Sequence, residues 1–254
     1  YDGGATGDWR SYDVLVRGNQ LTIKLDGREI MTYQDPGTPI LRGYIGLQYR
    51  EGPIEFRNIR VKPLSLEPLF DRKSLSGWKV YPGKESIFQV TEDGHLNILN
   101  GPGQIESERH FKDFVLRVQV QCRGEGLNSG IFFRSIPGEF WQGYESQIHN
   151  GYKDGDRTQP EDFGTGGIYR RQPARKVVAD DNQWFYKTLI VTGPHITVWV
   201  NGFPVTSWTD ERGPHVNPRE GRKLDGGTLI LQGHDPTTDL LFAHIEVVEY
   251  PVAD

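Results

Sequence analysis

The sequence is poor in sulfur, with a single cysteine, Cys122, among its 254 residues. One cysteine excludes an intramolecular disulfide framework and a thiolate zinc site, and in the strand-like run FVLRVQVQC it reads as a small buried hydrophobe. Long apolar runs are missing too. None approaches the ~20 residues needed to span a membrane as a helix, and the first residues do not form a signal peptide. Basic charge is not in excess either: 29 Lys and Arg stand against 34 Asp and Glu, a net charge of −5. With the arginines scattered among acids there is no basic groove, so nucleic acid is not an expected partner.

What the chain has in quantity is turn and strand material. Thirty-one glycines and 16 prolines with 11% aromatics suit many short strands joined by tight turns. The length fits one large β domain, or one domain plus a piece of another.

An internal repeat favours the second arrangement. GDWRSYDVLVRGNQLTIKLDG, residues 7–27, lies without a gap on NQWFYKTLIVTGPHITVWVNG, residues 182–202, at an offset of 175. Both read as hairpins of alternating strands with a glycine at the turn (Gly18, Gly193), closed by Asp26-Gly27 or Asn201-Gly202. GYIGLQ (43–48) then pairs with GTLILQ (227–232), and IEFRNIRV (54–61) with LLFAHIEV (240–247). Shared order, more than similarity of any one run, marks a repeat.

Residues 1–63 are therefore expected to be the C-terminal half of a domain, residues 64–68 a linker with Pro63 and Pro68 beside it, and residues 69–250 a complete copy. Half a sandwich would leave one face of Trp9, Val14, Ile23 and Leu25 open. The expected cover is upstream chain, ahead of the second domain or another protomer.

In the complete copy, SIFQVTE, HLNILN, FVLRVQVQC, SGIFFRS, GYESQIH, GGIYRR, FYKTLIVT, HITVWVN, GTLILQG and LLFAHIEVVEY read as strands. Ten strands with no convincing helical period predict an all-β antiparallel sandwich or jelly roll.

The motifs LFDRKSLSGW, NSGIFFR, GYESQIHNG, WVNG and GTLILQGHD, in that order, resemble the 3-keto-disaccharide hydrolase domain family, a concanavalin A-like jelly roll. The resemblance covers nearly all of residues 67–250, and its C-terminal half covers residues 1–63. It departs at Arg72, where Gly is usual, and after Gln147, where a long acidic loop replaces a quick turn. It implies hydrolysis or elimination of a 3-keto-glycoside, a carbohydrate partner, and a periplasmic or extracellular bacterial setting. A ketone at C3 acidifies the C2 hydrogen, so such a site needs a base near C2, a stabiliser for the enolate oxygen and an acid for the leaving oxygen. A non-catalytic, lectin-like carbohydrate-binding module is the alternative.

Strand alternation in GYESQIH puts Gly143, Glu145, Gln147 and His149 on one face, with Tyr144, Ser146 and Ile148 on the other. That polar face suits either solvent or a site. If SGIFFRS pairs beside it, Arg134 stands next to Glu145 or Gln147, to orient a carboxylate or hold an enolate. The expected catalytic set is Glu145, His149, His234 and Arg134, with Asp235 or Asp239 fixing the His234 tautomer. Gln147, Gln232, Asp235, Tyr169, Arg170 and Trp141 are expected to bind substrate, Trp141 as the stacking platform; Trp199, flanked by valines, is expected in the core. In the loop YKDGDRTQPED the EF-hand spacing fails, because Gln159 and Thr165 stand where Gly and Glu belong. An irregular calcium site is the one metal arrangement left open, and no other cofactor is expected.

Overall fold

The computed structural model describes residues 7–37 and 45–250, which fold as two compact units, Tyr1–Ile59 and Arg60–Asp254. The first unit holds β1 (Tyr12–Arg17), β2 (Gln20–Leu25) and β3 (Arg28–Gln34) in one antiparallel sheet, in that order. Asp26 and Gly27 both take positive φ, 50° and 77°, which lets a two-residue turn follow the strand twist between β2 and β3.

The second unit contains thirteen strands. They are β4 (Glu67–Pro68), β5 (Trp78–Val80), β6 (Ile87–Val90), β7 (Leu96–Leu99), β8 (Gly103–Phe111), β9 (Phe114–Cys122) and β10 (Ser129–Ser135). Then follow β11 (Tyr144–Ile148), β12 (Trp184–Thr192), β13 (His195–Val200), β14 (Phe203–Thr209), β15 (Gly227–Gly233) and β16 (Asp239–Glu249). Five strands form one sheet in the order β11-β10-β15-β8-β5. The other sheet runs β14-β13-β12-β9-β16-β7-β6, with β4 on β16. Spatial neighbours distant in sequence, such as β8 and β15, make this the all-β jelly-roll sandwich expected.

Alternation explains why the sheets meet. Ile105, Ile131, Phe133, Leu229 and Leu231 from the five-stranded sheet share a core with Val118, Val120, Leu189, Val198, Phe242 and Ile245 from the other. Each such side chain contributes about 1.5–3 kcal/mol relative to exposure.

The three strands of the first unit share their register with β12–β14. β2 and β3 lie at the same 175-residue offset from β13 and β14, Tyr12↔Leu25 matches Lys187↔Val200, and the bulge between Ile23 and Lys24 recurs between Val198 and Trp199. Burial differs. Tyr12, Val14 and Val16 are 54–60% exposed, whereas Lys187, Leu189 and Val191 are at most 1% exposed. In the second unit β12 also pairs with β9.

Several expectations need correction. Residues 45–48 and 54–61 form no strand; Gly43 and Tyr44 lie outside the described residues. GGIYRR is a turn with isolated bridges at Ile168, since its glycines and the positive φ of Arg170 break the pleat. Within the expected linker, Glu67 and Pro68 pair with Val247 and Glu246 at the sheet periphery, where a missing N–H is tolerated. Trp199 is only half-buried, facing away from Val198 and Val200, because the pleat alternates and the valines take the core.

Candidate active site on the five-stranded sheet

Residues that point away from the core on this sheet form two rows. Register aligns Glu145 with Phe132, Phe132 with Ile230 and Ile230 with Glu106 in one row; Gln147 pairs with Gly130, and Gln232 with Gln104, in the next. Phe132 and Ile230 are fully buried although outside the shared core, so loops cover this outer face.

Glu145 is the focus. Its Oε2 accepts a hydrogen bond from Arg219 Nη2 at 2.9 Å, and the carboxyl is only 5% exposed. Burial pushes Glu145 above the usual carboxylate range; Arg219 and His234 pull it back, and Asp162 adds to the rise. Arg219 is itself held by the Trp141 carbonyl, which accepts from Nε at 3.2 Å, and lies over Phe132, 4.9 Å from its ring centre, and over Tyr169 at 5.7 Å. Removing this cation must raise the carboxyl further. Arg219→Gln is therefore expected to move the acid limb of the kcat/KM profile to higher pH, measured with a 3-keto-disaccharide; an unmoved limb would disconnect Arg219 from Glu145.

Room for the carboxyl comes from Gly130. A Cβ there would lie 2.5 Å from Glu145 Oε1, so Gly130→Ala should displace the carboxyl and lower kcat on the order of tenfold or more, with the fold retained by circular dichroism. A variant with unchanged kcat would show that the carboxyl's place does not matter.

His234 joins the same face. Its ring lies parallel to Trp141, 5.9 Å between centroids and 3° between planes, and Nδ1 is 2.8 Å from Asp235 Oδ2. Burial raises the Asp235 pKa, but hydrogen bonds from Thr237 and His234 outweigh it and hold it below the usual range, so the ring faces an ionised partner. That pairing fixes the imidazole orientation and leaves Nε2 as the nitrogen able to exchange a proton.

Amides and aromatics complete the surface. Gln104 Oε1 accepts from the Trp141 N–H at 2.8 Å, and Glu106 accepts from the Gly138 N–H and from Thr228, so both sheet residues anchor the loop that carries Trp141. Gln147 Nε2 donates to Asp162 Oδ2 at 2.6 Å, and Asn128 donates to the same oxygen. Gln232 is 2% exposed, and its Oε1 has no hydrogen-bond partner among the described residues. Trp141, Asp162, Phe163 and Arg170 all hold positive φ between 40° and 68°, a concentration of strained non-glycine backbone around one face. Two shallow surface hollows, about 280 and 300 Å³, lie elsewhere and include none of Glu145, Arg219 or His234.

Of the expected site residues, Glu145, Gln147, Trp141, Tyr169, Gln232, His234 and Asp235 gather here. Arg170 is exposed, its guanidinium 5.3 Å from the Tyr169 ring centre. One catalytic assignment fails. Arg134 does not reach Glu145: a register shift between Phe132 and Ser135, with φ of 48° at Arg134, turns it to Asp113 Oδ1 and the carbonyls of Lys112 and Lys223. His149 lies just past the end of β11, where its Nδ1 accepts the Gly151 N–H. Among the described residues no hydrogen bond or ion pair joins it to Glu145. In the acidic loop Asp156 accepts from Thr158, and Asp162 accepts from Gln147 on the outer face. Among the described residues no three His, Cys, Asp or Glu side chains group closely enough to hold a metal ion.

Arg219 and Asp162 were missed because loop residues carry no period. Lys187 was legible, since it falls in phase with Phe185, Leu189 and Val191.

The model of the 3-keto-alpha-glucoside-1,2-lyase-like domain matches the sequence over residues 4–62 and again over 65–248. No curated protein matches it. Two solved structures from Parabacteroides distasonis ATCC 8503, each named a "putative glycosyl hydrolase", have the same fold. One is 20% identical with a TM-score of 0.56, covering 72% of this chain and 93% of its own. The other is 22% identical with a TM-score of 0.57, covering 73% and 99%.

Proposed function

The chain belongs to the 3-keto-alpha-glucoside-1,2-lyase-like domain family, and from that premise we propose that its second unit cleaves 3-keto-glycosides. The observation that carries the proposal is the buried Glu145–Arg219 pair beside the Trp141-stacked His234–Asp235 pair on one sheet face. Glu145 takes the C2 proton, and the C–H electron pair becomes an enolate spread over C2, C3 and the C3 oxygen. Collapse of the enolate forms the C1–C2 double bond and breaks C1–O, with the departing oxygen protonated from His234 Nε2. Arg219 supplies positive charge to the enolate, Trp141 stacks on the sugar ring, and the free Gln232 Oε1 accepts a sugar hydroxyl. Water can then add to the unsaturated product, which would make the net reaction hydrolysis.

A raised carboxyl pKa suits this task, because a stronger base at neutral pH better matches a keto-sugar C–H. The second reading, a sugar-binding module, is favoured by the amide row Gln104, Gln147 and Gln232 next to an aromatic platform. Incubation with a 3-keto-disaccharide separates them. Release of the free aglycone sugar supports the enzyme, and saturable binding with no product supports the module. Residues 1–63 belong to the same proposal as a stretch matching the C-terminal half of the domain. A periplasmic or extracellular setting also fits a sugar substrate.

A further inference from the structure

One charged side chain of the second unit sits in the sandwich interior. Lys187 on β12 is 1% exposed, between Phe185 and Leu189 in sequence and beside Val118 and Val200 across the sheet. Its Nζ donates to the carbonyl oxygens of Ser146 at 2.7 Å and Gln147 at 2.8 Å. The ammonium thus reaches from one sheet to the backbone of the other, at the two residues that follow Glu145. A buried cation held by carbonyls is costly, and an aliphatic residue would fill the place at lower cost.

The internal copy provides a control. Tyr12 occupies the equivalent position in β1, yet β1 to β3 keep the register and the bulge of β12 to β14. The hairpin does not require the lysine.

β11 is an edge strand of its sheet. Its other side meets the loop at 165–169, where Gly166 N–H donates to Gln147 O, Gln147 N–H donates to Gly167 O, and Tyr169 N–H donates to Glu145 O.

We propose that Lys187 is a positioning residue: its ammonium straps the Ser146 and Gln147 carbonyls from inside the sandwich and thereby fixes Glu145 and Gln147 on the outer face. The strap stands on these contacts alone, and only its consequence for turnover rests on the proposed function.

Burial lowers the Lys187 pKa to about 7, while Glu145 on β11 and Cys122 on β9 favour the charged form. Burial in turn pushes the Cys122 thiol up to about 12, so it stays neutral across this range. Since Lys187 is charged in the unfolded chain well above pH 7, its burial cost is full below about pH 7 and falls away as pH rises through that value. The strap weakens over the same interval, from charge-assisted to neutral hydrogen bonds. Stability and site order thus move in opposite directions, which a lysine serving only the fold does not produce.

The test compares wild type with Lys187→Met on the full chain, by thermal melting, by backbone amide NMR of residues 145–148 between pH 5.5 and 9, and by turnover of a 3-keto-disaccharide. We expect wild-type amides to shift with a midpoint near pH 7. In Lys187→Met that titration should vanish, melting should be equal or higher, and kcat should fall on the order of tenfold to a hundredfold. Unchanged amide positions and unchanged kcat in the variant overturn the proposal. Should the variant not fold, the wild-type titration decides: amides that follow the Lys187 Nζ signal support the strap, and amides that ignore it overturn it. If no protein turns over the sugar, the proposed function fails while the amide result still decides the strap.

Discussion

Glu145→Gln is expected to lower kcat for a 3-keto-disaccharide by on the order of 10²–10⁴-fold while the sugar still binds. Glutamine keeps the shape of the side chain and its contact to Arg219 Nη2, but it cannot take a proton from C2. KM should change little, because the stacking surface of Trp141 and the free oxygen of Gln232 are untouched. Stability should respond as well, in a direction fixed by the raised pKa. A carboxyl whose folded pKa lies above its unfolded value loses stability as pH rises through the folded pKa, since the folded state then holds a buried charge it resists. Glutamine removes that slope, so the variant should gain on wild type as pH rises above the ordinary carboxylate range in denaturant unfolding. A variant with full kcat would end the assignment of Glu145 as base. If neither protein shows turnover but both bind, the binding-module reading takes its place.

Arg134→Met is expected to cost about 3–5 kcal/mol of stability, the largest single loss we anticipate, because it leaves a buried carboxylate without its cation. Arg134 is 1% exposed and Asp113 is 7% exposed, and they meet at 2.9 Å. The guanidinium also donates to the carbonyls of Lys112 and Lys223, so two segments lose an anchor at once. Gly193 N–H still donates to Asp113, which softens the loss without replacing the charge. Folded Arg134→Met at low temperature should keep the wild-type pH profile, because Arg134 does not touch Glu145. Urea titration and pH–rate measurements on one preparation separate the two arginines: Arg219→Gln moves the profile, and Arg134→Met moves the midpoint of unfolding. A stability loss below about 1 kcal/mol would contradict the buried-pair account, being the range of exposed ion pairs.

The two arginines also show where the sequence stops being informative. Alternation in SGIFFRS put Arg134 on the same face as Phe132, and that inference was sound for a regular pleat. One bulge undid it, since an extra residue in a strand reverses every later side chain. Arg219 lies in a loop 74 residues beyond Glu145, and nothing in VNPREGRK points to β11. Lys187 was different. Its place in the apolar phase of WFYKTLIVT could be seen, but which carbonyls it would meet depended on the opposite sheet.

By itself the sequence determined the sandwich class, the repeat at 175 residues down to its turn glycines, and the outward face of Glu145 and Gln147. These follow from interactions between residues one or two apart, where side-chain alternation and turn chemistry are written locally. Only the tertiary structure decided which cation meets Glu145, which histidine shares its face, and what lies beneath its strand. Those contacts close loops of tens of residues, and their partners are chosen by strand order, a bulge and the packing of two sheets, none of which leaves a periodic trace in the chain.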